Sequence, residues 1–340
     1  MAHARISANL PPDIDPTKAP LACGWRALPK LNEELQSAEL LTQQRALMTL
    51  CDLVHDPEKV YQAIEVGFLG NLKTLLRHRD TTVRQKTTEV FYIMATHSIG
   101  RQGLLQNGII SALTELLNDP EGICRKNMHQ VLEMMAKLPE GAVAILHAGL
   151  IPLLVPKLKT EPDGIQELIL DTLSNCLRVE ASEALAAGAI PILKEKLTHS
   201  LVTIRIKAAL VLLEIGTHAE GKGMVCEEVV PVLVGLLEDA DPDVQASATG
   251  ALMFAIIKPQ GRFSALGAGA IPSLLKLVAE ETSKARLSAI KALTMLAELP
   301  QGRRTLLEHT ATFQQCLGDP REAVKRAART AISVIGWKPC

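Results

Sequence analysis

Aromatic side chains are scarce in this 340-residue chain: five Phe, two Tyr and two Trp make up 3% of it. Because 47% of the residues are nonetheless apolar, the core has to be built from Leu, Ile, Val, Ala and Met, as in close-packed helices. Excess charge is also missing. A net charge of −1 gives no steering toward nucleic acid or an anionic membrane. No run of about eighteen apolar residues occurs, and the first twenty residues hold Pro-containing polar clusters where a secretory leader would carry an apolar stretch. The seven cysteines are scattered and never form Cys-x-x-Cys. They suit reduced, mostly buried thiols of a cytoplasmic protein. Alternating β-type runs are absent as well, so the expected class is all-α.

What is present is a repeat. Gly149-Leu150-Ile151-Pro152 returns as Gly188-Ala189-Ile190-Pro191 and Gly269-Ala270-Ile271-Pro272, with a degenerate copy at Glu228-Val229-Val230-Pro231. The prolines are 39, 40 and 41 residues apart, and a fixed period near forty marks stacked helical repeats. Glycine can take the left-handed conformation that ends one helix, and proline is tolerated in the first turn of the next. Extending the marker gives Gly67, Gly108, Gly149, Gly188, Glu228, Gly269 and His309. With a partial repeat at each end, about eight repeats are expected. Residues 1–24 carry Pro11, Pro12, Pro16 and Pro20 without periodicity, which favours an extended or disordered arm, with the array spanning 25–340.

One helix of each repeat is legible residue by residue. Val244, Ala248, Ala251, Leu252 and Ala255 follow the offsets of a single helical face. The same offsets yield Val83, Thr87, Val90, Phe91 and Met94. They also yield Ile204, Ala208, Val211, Leu212 and Ile215, and finally Val324, Ala328, Ala331, Ile332 and Ile335. Asp241-Pro242 reads as a helix cap followed by a first-turn proline, and Asp319-Pro320 reads the same way. A shorter helix precedes each marker, opened by Pro139-Glu140-Gly141, Pro259-Gln260-Gly261 and Pro300-Gln301-Gly302.

Catalytic chemistry finds little footing. Gly216 to Lys222 has the spacing of a phosphate-binding loop, but Gly223 stands where Ser or Thr would hold magnesium, and a helix precedes it where a strand is required. The nine histidines never form a His-x-x-x-His pair with a glutamate, and no cysteine cluster has metal-ligand spacing. The expectation is no enzyme, no cofactor, no metal and no small-molecule substrate.

Three helices per repeat with Gly-Ala-Ile-Pro at the joint resemble the armadillo repeat, from roughly Leu28 to Trp337. The two-helix HEAT repeat, which usually lacks the glycine hinge, is the alternative. The resemblance implies an armadillo-type α-solenoid, a right-handed superhelix of about eight three-helix repeats with the first and last incomplete. In peptide-binding members a repeated Asn on the third helix clamps the ligand main chain. That position falls here on Asp52, Ile93, Met134, Asn175, Glu214, Phe254, Met295 and Val334. Only Asn175 keeps the residue, which argues against an import receptor. The mostly apolar row either deepens the core or receives an apolar segment of a partner. Candidate partner-binding residues are therefore Ile93, Met134, Asn175, Glu214, Phe254 and Met295, joined by Lys325, Arg326 and Arg329 from a basic run near the C-terminus. An acidic run from Glu220 to Asp243 offers the opposite polarity.

A narrower resemblance comes from MAHARIS (1–7), PPDIDPTK (11–18), LNEELQS (31–37), VRQKT (83–87), KALTMLAE (291–298) and Gly302-Arg303-Arg304. These stretches resemble the armadillo-type radial spoke proteins of motile cilia and sperm flagella. The resemblance implies a non-enzymatic subunit of the axoneme whose partners are other radial spoke proteins. No nucleic acid or membrane would be involved. The alternative is a soluble cargo or signalling adaptor that binds peptide segments in its groove.

Overall fold

Six glycines of this chain hold φ between +59° and +88°: Gly24, Gly67, Gly108, Gly149, Gly188 and Gly269. Five of them are the repeat markers, and each ends one helix and opens the next. No described non-glycine residue has positive φ, because a Cβ there meets the following carbonyl. The two markers that are not glycine therefore turn differently; at His309 the backbone sits at φ −109° and ψ 17°. The computed structural model of the chain describes residues 15–22, 24–224 and 228–337. Among these residues every regular element is helical.

Eight long helices recur, one per repeat: α1 (Leu40–Leu53), α2 (Thr81–Thr96), α3 (Gly122–Ala136), α4 (Asp163–Cys176), α5 (Val202–Thr217), α6 (Pro242–Ala255), α7 (Arg286–Leu296) and α8 (Glu322–Ile335). The chain divides into two compact bodies, Met1–Ala148 and Gly149–Cys340. In the first, α2 packs between α1 and α3; in the second, α4 to α8 each pack on the next. Of the twenty residues assigned to a buried helical face from sequence, all but Ile332 are at most 1% exposed. The three-helix repeat is complete at the C-terminal end, where Pro300–Leu307, Thr310–Gln315 and α8 follow in order. The expectation of an incomplete last repeat is corrected, since counting from a marker inside the repeat left its first helix with the preceding one. At the other end, Ala27–Glu34 and α1 lack only the short first helix.

The glycine of each Pro-x-Gly opening, with Gly100 and Gly221 at the same place in other repeats, has a steric cause. A Cβ on Gly100, Gly141, Gly221, Gly261 or Gly302 would lie 1.9–2.2 Å from the carbonyl oxygen of Met94, Met135, Ile215, Ala255 or Leu296 respectively. The short helix crosses directly over the end of the preceding long helix, and only glycine permits that approach. Gly141→Ala is expected to cost about 1–3 kcal/mol, read as a lowered urea midpoint at unchanged slope. A midpoint equal to that of the unmodified protein would show that this crossing is not tight.

Four of the long helices, α2, α3, α5 and α6, also tie back to what precedes them. The side chains of Arg84, Arg125, Arg205 and Gln245 donate to the carbonyls of His78, Asp119, His199 and Asp239 at 2.7–2.9 Å. These groups would otherwise end a helix unpaired. Three of the arginines that open long helices reach forward to an aspartate of the next repeat. Arg84 meets Asp119 at 2.7 Å, Arg205 meets Asp239 at 3.1 Å and Arg286 meets Asp319 at 2.8 Å. Asp241 caps α6 as expected, accepting from the main chain of Asp243 and Val244. Asp319-Pro320 does not cap α8, and that expectation is corrected. The helix starts at Glu322 with Arg321 at the cap, because the Asp319 carboxylate is committed to Arg286 and Arg321. The described part of the N-terminal arm, residues 15–22, is laid against α1. The Ala19 amide donates to the Thr49 hydroxyl at 2.9 Å, and Lys18 pairs with Asp52. The remainder of the arm, residues 1–14 and 23, lies outside the described residues.

Candidate functional site

The row of residues at the family's Asn position divides by environment. Ile93 is only 6% exposed and edges a small hollow shared with Lys18, Asp52, Lys86 and Glu89. Met134, Asn175, Glu214, Phe254, Met295 and Val334 are half-buried, and Asp52 is exposed. The Asn175 amide donates to the Asp171 carbonyl of its own helix at 2.9 Å. Glu214 pairs with Arg178 at 3.0 Å. Phe254 is seated where a Cβ on Gly216 would come within 2.9 Å of its own Cβ. These polar members are engaged within the protein, and the aromatic one sits over the α5–α6 contact.

Met295 is different. It lies in a groove of about 580 Å³ built from three adjacent long helices of the second body. Met253 and Ile257 come from α6 and the residues just after it; Leu287, Lys291 and Thr294 come from α7. Ala323, Arg326, Ala327 and Thr330 come from α8. Of the basic run, Arg326 alone lines this groove, whereas Lys325 and Arg329 lie 3.7 Å and 3.5 Å from Glu322. None of the lining residues is acidic. Lys291 and Arg326 are exposed, and neither has an ion-pair partner among the described residues. Of the residues lining the groove, Met295 and Arg326 are among the candidates named from sequence; Met253, Ile257, Leu287, Lys291, Thr294, Ala323, Ala327 and Thr330 are not. The signal was available: Lys291 stands one helical turn before Met295, so the two share a face.

The acidic run offers no matching patch. Glu228 is 3.9 Å from Lys194, Glu238 accepts from the Ser273 hydroxyl at 3.0 Å, Asp239 holds Arg205, and Asp243 holds Lys284. Glu227 lies outside the described residues. The loop-like glycines are also accounted for by packing. Gly216 is inside α5 against Phe254, and Gly221 is pressed on the Ile215 carbonyl. Cys51, Cys124, Cys176 and Cys316 are free and buried. Burial pushes the thiols of Cys51 and Cys176 up to about 12 and that of Cys124 to about 11, so these three stay protonated and poor nucleophiles. What the second body presents is a groove with an aliphatic floor and two cations that have no ion-pair partner among the described residues.

Comparison with known proteins agrees with this geometry. The Armadillo/beta-catenin-like repeat family matches residues 218–252, the stretch from just after α5 through most of α6. A crystal structure of an engineered protein superposes with a TM-score of 0.85 at 22% identity, covering 92% of this chain and 79% of that one. Computationally designed armadillo repeat proteins for modular peptide recognition give 0.63 at 23% identity, over 67% and 99%. A designed armadillo repeat protein in complex with the peptide (KR)4 gives 0.62 at 23% identity, over the same shares. The chain thus has the armadillo-type α-solenoid fold, and one stretch of it is matched by the armadillo repeat family itself.

Proposed function

We propose that this protein is a non-enzymatic structural subunit of the axonemal radial spoke, supporting motility of cilia and sperm flagella through contacts with other spoke proteins. The observation that carries the binding role is the α6–α8 groove, whose aliphatic floor and cationic rim suit another protein's side chains. The spoke assignment is supported by the stretches at 1–7, 11–18, 31–37, 83–87 and 291–298, of which the arm is the most telling, since repeat periodicity does not generate it. The loss of the Asn ladder at all positions but Asn175 suits permanent neighbours better than transient extended peptides.

The second reading, a soluble adaptor for peptide segments, is favoured by the fold's likeness to a designed protein seen with (KR)4. The two separate on extraction. A spoke subunit remains with detergent-stripped axonemes, leaves only in high salt or chaotrope, and crosslinks to spoke proteins. Release with the detergent fraction, or crosslinks confined to soluble transport factors, would remove the spoke assignment and leave the adaptor.

A further inference from the structure

Resting on the reading of this protein as a binding scaffold, we propose that the α6–α8 groove receives an acidic amphipathic helix of a partner protein, apolar face inward and carboxylates toward Lys291 and Arg326. The floor is Met253, Ile257, Leu287 and Met295, unbranched or aliphatic side chains that adapt to a partner's Leu or Ile. The rim carries two cations without carboxylate partners among the described residues, and no acid lines the groove. Partner carboxylates would complete both at little desolvation cost, because both cations are exposed.

The choice of a helix over an extended strand follows from hydrogen bonding. An extended segment brings main-chain N–H and C=O groups that need partners once covered. Here the clamp position holds Met295, which offers no amide. The two rim hydroxyls already donate to their own helices, Thr294 to the Ile290 carbonyl at 2.7 Å and Thr330 to the Arg326 carbonyl at 3.1 Å. A helix satisfies its own main chain and asks the groove only for side-chain contacts. The acidic run of a second copy is a poor occupant, since its Glu228, Glu238, Asp239 and Asp243 are engaged internally. Nucleic acid is no better served, because no ring lines the groove for stacking.

The test uses the full chain and a fluorescein-labelled helical peptide of Leu and Glu, with Leu spaced three and four residues apart. One comparison peptide replaces each Glu with Lys; another carries a central proline. Fluorescence anisotropy is expected to show binding of the acidic helix that weakens with salt, and a loss of about tenfold or more for the Lys peptide. The proline-broken peptide should lose as much. Exchanging both cations (Lys291→Glu with Arg326→Glu) alters two exposed positions, so the fold is retained, and it should reverse the preference between the acidic and Lys peptides. Equal binding of the acidic and Lys peptides, full binding of the proline peptide, or indifference to the double exchange would overturn the assignment. So would a dimer in sedimentation velocity that the double exchange dissolves, which would make the groove a self-contact. Axoneme extraction judges the spoke assignment separately: peptide binding by a protein absent from axonemes keeps the groove and removes the spoke.

Discussion

Ala251→Asp is expected to destabilise the second body by about 4 kcal/mol at neutral pH, a loss of the size that follows an uncompensated buried charge. Ala251 is 1% exposed on α6, a helix packed between α5 and α7. A carboxylate there has neither water nor a cation, so its folded-state pKa lies above its unfolded value. The sign follows: the penalty is small while the group is protonated in both states. It grows as pH rises past the unfolded value of about 3.9. Because a repeat array propagates disorder to its neighbours, the melting transition should broaden as well as fall. Ala251→Ser, similar in size and uncharged, should lose far less. Thermal melts at pH 4 and pH 7 that coincide with those of the unmodified protein would strike Ala251 from the packed face.

Asp319→Ala is expected to cost about 3 kcal/mol, because it strands the Arg286 guanidinium. The Arg286 side chain is 6% exposed and that of Asp319 is fully covered. The carboxylate also accepts from the Arg321 main chain at 2.8 Å and from its guanidinium at 3.0 Å. Hydrogen bonds from Arg321 outweigh the opposing effect of burial, and with the Arg286 charge they hold the Asp319 carboxyl down from 3.8 to about 2. A depressed carboxyl contributes stability that is present above 3.8 and disappears as pH falls toward about 2. Asp319→Ala should therefore flatten the acid limb of the stability curve between those values. Arg286→Leu combined with Asp319→Ala removes both charges and should recover much of the loss. If the double variant were no more stable than the single one, the stranded charge would not be the cause. The matching pair Arg205–Asp239 is more open, with side chains 15% and 11% exposed, and its disruption should cost less.

How far the chain could be read from its residues varied with the range of the interaction. Glycine joints, helical faces and first-turn prolines depend on neighbours within a few positions, and Gly67, Gly108, Gly149, Gly188 and Gly269 all take the left-handed conformation expected of them. Asp319-Pro320 misled because the dipeptide's local preference was overridden by Arg286, an earlier residue of the preceding repeat. The Arg–Asp pairs were visible only as an arginine thirty-three to thirty-five positions before an aspartate, a spacing without meaning until the helices are stacked.

By sequence alone the chain is committed to an all-helical array of forty-residue repeats, since periodicity and backbone preference are local and repeat themselves until no other fold is consistent. The tertiary structure alone decided which residues of the apolar row line a groove. Met134, Phe254 and Met295 look alike in sequence. Only the packing of α6, α7 and α8 sets Met295 in a groove beside Lys291 and Arg326, while Phe254 covers Gly216 and Ile93 is nearly buried. Accessibility and charge pairing depend on what lies across from a residue, and that is a property of stacked helices.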